Sequence, residues 1–261
     1  MILFNQEKIR QHLMRQDVVM HLFDKIDSTN QFLHSVPLDQ TTHICLAEQQ
    51  TAGRGRLQRN WHSPFGQNIY FSCRVFLKNH LDALSGLSLL AGLSVADTLQ
   101  ALHLPEKILL KWPNDVLYER HKLAGILIEI QNVAAEGCYI IIGIGINVNM
   151  VDDATSITQH WTSLKKMLDV DIDRNMLCAH LIDQLLRDLK HFESHGLEPF
   201  LPAWEARDYL LQKDVTLQSP QGIIEGIAQG IDGLGRLKVH LADGSNRLIS
   251  SGDTTIVKKD N

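Results

Sequence analysis

Leu177, Leu181, Leu185, Leu189 and Phe192 repeat at three- to four-residue intervals, the spacing that lines one face of an α-helix. Asp173 can cap the start of this run and Gly196 can end it, so a helix is predicted from Asp173 to His195. Leu84 to Leu102 also has helical spacing. Its other positions are largely Ala, Ser and Gly, which predicts a core helix packed closely against a sheet. Asp27-Ser28-Thr29-Asn30 reads as a helix N-terminus, and residues 1–27 hold one short amphipathic stretch.

The remaining pattern is that of strands. Residues 43–48 and 68–77 alternate or run apolar, and Leu109-Leu-Lys-Trp112, Leu123–Ile130 and Tyr139–Met150 follow. Cys138 to Ile146 is the most apolar run and predicts a buried strand. A turn around Asn114-Asp115 and Glu119-Arg-His121 joins two of these strands, which would place Lys111 and Lys122 on adjacent strands of an antiparallel sheet. From Asp208 onward the segments shorten, with an Asp243-Gly244 turn, and predict a small β-barrel-like unit. The chain is therefore expected to be α+β, with one domain over residues 1–207 and a β domain over 208–261.

Composition narrows the function classes. With 261 residues, 44% hydrophobic and 21% charged, the chain can bury one substantial core, which argues against disorder. A net charge of −5 argues against coating nucleic acid. Cys45, Cys73, Cys138 and Cys178 form no C-x-x-C pair and suit free thiols in the cytoplasm. No stretch reaches the ~18 consecutive apolar residues of a membrane helix, and the apolar start is too short for a signal peptide. Thirteen histidines include no H-E-x-x-H, so no metal site is expected.

Against that acidic background, Glu48 to Trp61 sets Arg54, Arg56 and Arg59 around Gly53 and Gly55. Guanidinium forks match carboxylate and phosphate oxygens, and glycines let backbone N–H groups approach a ligand, so this run predicts an anion clamp. A second signal is Lys111-Trp-Pro-Asn-Asp115 followed by Lys122-Leu-Ala-Gly125, which could turn two ammonium groups toward one site. The third is Gly143-Ile-Gly-Ile-Asn147. It lacks the third glycine and following helix of a dinucleotide fingerprint, but Asn147 could bond a phosphate or ribose. There is no Walker A sequence and no recognisable nucleophile–base arrangement.

In this order the three segments resemble biotin protein ligases. The resemblance implies a catalytic domain like those of class II aminoacyl-tRNA synthetases and lipoate ligases, with a mixed, largely antiparallel sheet, followed by a small SH3-like β-barrel. It implies that ATP, with Mg²⁺, and biotin form biotinyl-5′-AMP and pyrophosphate, and that biotin then passes to a lysine of a biotin carboxyl carrier domain. Residue by residue, it assigns biotin contacts to Ser28, Thr29, Asn30, Gln50, Arg54, Gly55, Arg56 and Lys122. Adenylate and phosphate contacts fall on Arg56, Arg59, Lys111, Asn114, Lys122 and Asn147, with Lys122, Arg56 and Lys111 as the catalytic set. Because the substrate's own carboxylate attacks phosphorus, cations rather than a protein nucleophile are needed. The resemblance also implies a homodimer through sheet edges. Only 27 residues precede Ser28, too few for the winged-helix domain of the family's repressors, so no DNA partner is expected. The rivals are a lipoate or octanoyl ligase or transferase of the same fold, and a non-catalytic biotin or nucleotide binder.

Overall fold

Most of the apolar alternation goes into one large sheet. The computed structural model describes residues 2–15, 17–78, 86–103, 107–152, 157, 159–219 and 222–256. Seven strands, β1 (Val18–Phe23), β2 (Thr42–Ala47), β3 (Ile69–Leu77), β4 (Ile108–Lys111), β5 (Asp115–Tyr118), β6 (His121–Ala134) and β7 (Gly137–Ile146), lie in the order β1-β2-β3-β7-β6-β5-β4. All neighbours are antiparallel except β1 and β2, which run parallel.

Two strands change the sequence-based picture. The first 27 residues hold β1 as well as the amphipathic helix α1 (Gln6–His12), which Asn5 caps and which buries Ile9. Between β4 and β6 there is not one turn but two, enclosing β5. Lys111 and Lys122 are therefore two strands apart, and the expectation that they sit on adjacent strands is corrected. Four residues bounded by turn formers on both sides are too few to show a period.

The predicted helices are present, and a short helix α4 (Leu164–Leu168) falls between the two long ones in the chain. Helix α5 (Arg174–His195) starts at Asp173, whose side chain accepts from the Asn175 and Met176 N–H groups, and stops at Gly196 with φ 68°. Its five-residue apolar stripe is buried. Helix α3 (Leu87–Ala101) is buried nearly all round between α5 and the sheet; Leu84 and Ser85 of the predicted span lie outside the described residues.

Helix α2 (Thr29–Ser35) covers the opposite face, where Leu33 meets Cys45 and Ile141, whereas Ile44, Ile140 and Ile142 point into the main core. All four cysteines are buried thiols. No helix among the described residues is long and apolar enough to cross a membrane.

The C-terminal unit is an antiparallel sheet of β8 (Asp214–Ser219), β9 (Gly222–Ile231), β10 (Leu237–His240), β11 (Asn246–Ile249) and β12 (Asp253–Ile256), in the order β11-β10-β9-β8-β12. Its edge strands β11 and β12 do not pair with each other among the described residues. The unit is fastened to the first sheet through Trp112. The Trp112 indole N–H donates to the Gly235 carbonyl at 3.0 Å, and the Thr254 hydroxyl donates to the Trp112 carbonyl at 2.9 Å.

Candidate active site

On the α2 face, three neighbouring strands give up their side chains at matching positions. Gly125 of β6 pairs with Gly145 of β7, which pairs with Tyr70 of β3; one step along, Leu127 pairs with Gly143, and Gly143 with Ser72. Residues two apart on a strand share a face, so this run of Gly and Ser leaves room above the sheet. The room is a cavity of about 790 Å³.

The glycines are required by what lies on them. A Cβ at Gly143 would stand 2.5 Å from Asn30 Oδ1, and one at Gly145 would stand 2.5 Å from the Trp61 indole, which also covers Gly125. The Lys122 ammonium lies 5.3 Å from the centroid of the same indole.

The arginine loop forms the rim. Its first residues run beside 26–27, with the Thr51 and Ala52 N–H groups donating to the Ile26 and Asp27 carbonyls, both at 2.9 Å. That pairing brings Gln50 against α2. The loop then closes on itself: Gly55 N–H donates to the Arg59 carbonyl at 2.7 Å and Trp61 N–H to the Gly53 carbonyl at 2.9 Å. Gly53 is needed for close approach, since a Cβ there would meet Gln50, Ser63 and Trp61 within 3.0 Å. Gly55 is not, because only Arg59 O at 3.7 Å lies nearby. The left-handed residues are instead Leu57 (φ 53°) and Gln58 (φ 58°). A buried ion pair, Glu48 with Arg174 at 2.7 Å, anchors the chain just before the loop.

At one end the lining is cationic. Arg56 bonds the Gly252 carbonyl at 3.2 Å and lies 4.0 Å from Asp253, and the exposed Arg59 also bonds Asp253. Lys122 pairs with Asp115 at 2.7 Å. Burial pulls Arg56 below the ordinary arginine value, with Asp253 and Asp115 opposing the shift. Its charged form is short of solvent, a deficit that an anion would relieve. Lys111 is lowered by burial in the same way, countered by Asp115, but it does not line the cavity. Asp115, its register partner, stands between it and Lys122.

At the other end the lining is polar and uncharged: Ser28, Thr29, Asn30 and Gln50. Gln50 Oε1 accepts from the Thr29 N–H at 2.9 Å, and Ser28 caps α2. Asn114 donates to the Ile126 carbonyl at 2.8 Å, and Asn147 donates to the Thr162 carbonyl at 3.0 Å, so both tie the walls together while facing the cavity. Of the residues that the resemblance assigns to ligand contact, all but Lys111 line this one cavity, so a direct phosphate contact by Lys111 is corrected.

Trp161, Asp115 and Asp253 also line the cavity and were not on the sequence-derived list of ligand contacts. Trp161 arrives because the Lys122 N–H donates to the His160 carbonyl and the Thr162 N–H to the Lys122 carbonyl, both at 2.9 Å. No local pattern announces that pairing. Among the described residues no three His, Cys, Asp or Glu side chains converge as a metal site. Asp115 and Asp253 are the carboxylates the lining offers to a cation carried on phosphates.

Comparison with known proteins bears on this geometry. The model of the biotin/lipoate A/B protein ligase family matches residues 22–147, and that of the biotin protein ligase C-terminal domain matches 211–254. The chain is 41% identical to the bifunctional ligase/repressor BirA of Escherichia coli, over 81% of this chain and 66% of that protein. It is 34% identical to the biotin–[acetyl-CoA-carboxylase] ligase of Mycobacterium tuberculosis, over 80% of this chain and 77% of that one. The solved biotin protein ligase of Aquifex aeolicus in complex with biotin and ATP superposes with a TM-score of 0.78 at 29% identity, covering 92% of this chain and 99% of the other. Sequence motifs, two-sheet architecture and relatives agree, and the chain belongs to the biotin protein ligase family.

Proposed function

We propose that this chain is an ATP-dependent ligase that joins biotin to AMP, releases pyrophosphate, and transfers the biotinyl group to one lysine of a biotin carboxyl carrier domain. The carrying observation is that a single cavity has an uncharged polar end, at Ser28, Thr29, Asn30 and Gln50, and a cationic end, at Arg56, Arg59 and Lys122. A neutral ring system fits the first end and phosphates the second, so the carboxylate tail between them meets the α-phosphate. The Aquifex aeolicus relative, solved with biotin and ATP, supports the same pair of substrates.

In this reading Lys122 bridges the biotin carboxylate and the α-phosphate, and Arg56, carried on the Gly53–Gly55 turn, holds the opposite side. Arg59 and Asn114 meet the phosphates, Asn147 the nucleotide, and Arg54 the rim of the biotin end. Lys111 acts from behind Asp115 by adding positive potential rather than by touching substrate. Asp115 and Asp253 would be the carboxylates available to hold Mg²⁺, which would supply charge neutralisation to the ATP phosphates. Carboxylate attack on phosphorus expels pyrophosphate, and the cations stabilise the charge that builds on the leaving oxygens. The proposed location is the cytoplasm, where ATP and reduced thiols coexist. A homodimer would use the outer edge of β6 beyond Ile126, which has no strand partner among the described residues.

The test is biotin-dependent ATP–pyrophosphate exchange, followed by labelled biotin with a carrier domain and location of the modified lysine. Exchange that responds to lipoate and not to biotin would overturn this reading in favour of the lipoate-type rival. Biotin binding without exchange would point to the non-catalytic one.

A further inference from the structure

Behind the polar end of the cavity runs a chain of hydrogen bonds that ends on a carboxylate. Glu129 Oε2 lies 2.5 Å from Asn30 Nδ2, Asn30 Oδ1 lies 2.5 Å from Ser72 Oγ, and Ser72 Oγ lies 2.7 Å from Thr29 Oγ1. Ser72, Thr29 and Asn30 are buried, whereas the Glu129 side chain is 39% exposed, with His34 Nε2 at 3.7 Å. Thr29 and Asn30 line the cavity, and Ser72 and Glu129 do not. The missing side chain of Gly143 is what admits the Asn30 amide to this position.

The direction of the chain follows from counting protons. A carboxylate only accepts, so Asn30 must turn its NH₂ to Glu129 and its carbonyl oxygen to Ser72. Two short O···O contacts then remain, Ser72 with Asn30 and Ser72 with Thr29. Each needs one hydrogen, and each hydroxyl supplies one. Ser72 must donate to Asn30, so Thr29 must donate to Ser72. The longer contact from the Thr29 hydroxyl to Gln50 Oε1, 3.1 Å, yields, because Gln50 is already satisfied by the Thr29 N–H. The Thr29 oxygen is left facing the cavity with lone pairs only.

We propose that Glu129, acting through Asn30 and Ser72, is a positioning residue that fixes the Thr29 hydroxyl as an obligate acceptor, so that the ring bound there must offer an N–H. The inference rests on the biotin reading and sharpens it. A cyclic urea carries two ring N–H donors, and a dithiolane carries none. A site built around an unpaired acceptor rejects a ring that cannot donate, because the acceptor is then buried without a partner.

The test uses the intact chain and biotin-dependent ATP–pyrophosphate exchange, with biotin and ATP titrated separately. Glu129→Ala and Ser72→Ala are each expected to raise KM for biotin about tenfold, the worth of one lost oriented hydrogen bond, with KM for ATP and kcat within about twofold. Glu129→Gln is expected to fall between the parent and Glu129→Ala, since its amide oxygen can accept from Asn30 but its NH₂ can also donate and so no longer fixes the direction of the chain. The parent should also discriminate against a biotin analogue with one ring N–H replaced by N–CH₃, and both alanine variants should lose most of that discrimination.

An unchanged KM for biotin in both alanine variants overturns the proposal. So does a joint worsening of biotin KM, ATP KM and kcat, which would mark a merely structural role. If Thr29→Val weakens biotin binding while Glu129→Ala does not, the biotin reading stands and the relay falls. If the parent shows no biotin-dependent exchange, the functional reading falls and takes the relay with it.

Discussion

Gly145 lies directly beneath Trp61: a Cβ on that glycine would stand 2.5 Å from the indole. The aromatic wall of the cavity rests on bare backbone, held in place because β7 carries no side chain there. Gly145→Ala must push the indole aside, and the expected cost is about 1–3 kcal/mol of stability from overpacking, together with weaker nucleotide and biotin binding. Gly55→Ala, whose Cβ would meet only the Arg59 carbonyl oxygen at 3.7 Å and whose φ is −103°, should leave the melting temperature unchanged. Thermal melts of the two variants check both expectations, and equal losses would contradict the packing argument.

Lys122 is held by Asp115 at 2.7 Å and by the face of Trp61, so its ammonium is already placed before any anion arrives. Replacing it with Gln should lower adenylate formation about 10²–10³-fold, the usual effect of removing one pre-positioned donor from a charge-developing transition state. Single-turnover formation of biotinyl-5′-AMP measures this directly. A loss under tenfold would remove Lys122 from its central role.

Arg56 spans two parts of the molecule, reaching from the cavity rim to Asp253, the first residue of β12, and to Gly252 just before it. Arg56→Ala should still form adenylate but release it, so that biotin appears on exposed lysines of bystander proteins. Mass spectrometry of a mixture of a carrier domain and an unrelated protein reads the outcome. Retained target selectivity would count against the retention role.

The loop from Gln50 to Trp61 offers three exposed or half-exposed arginines to trypsin, and between Gly53 and Trp61 its backbone bonds stay within the loop itself. Biotin with ATP should slow cleavage at Arg54, Arg56 and Arg59 severalfold by occupying the guanidinium groups and ordering the loop. Comparable digestion rates with and without both substrates would argue against closure.

Asp188 is buried between α5 and α3, where it accepts from Ser94 Oγ at 2.7 Å and Gln184 Nε2 at 3.0 Å. Burial raises its pKa above the ordinary carboxylate value despite those two donors. A raised folded-state pKa means the unfolded chain loses this proton first, so stability falls as pH climbs from the ordinary carboxylate value to the raised one. Asp188→Asn removes that penalty. Its melting temperature relative to the parent should therefore improve from acidic to neutral pH, and a flat or falling difference would show that the carboxylate is not strained.

Much of the molecule is written locally. Helix α5, with its Asp173 cap and Gly196 stop, needed only the i, i+4 stripe, and the arginine run, the Lys111–Asp115 run and the Gly143–Asn147 run announced their chemistry as sequence. What the chain alone withheld are the relations between those runs. The insertion of β5 between two lysines, the parallel docking of β1, and the alignment of Gly125, Gly145, Gly143 and Ser72 across three strands depend on register, which pairs residues far apart in the chain and leaves no period to read. The same holds for Asp253, which meets Arg59 across 194 positions, and for Glu129, which meets Asn30 across 99. Residue types and local spacing dictate which groups can bind anions; only strand pairing and the docking of the second sheet decide which of them share one cavity.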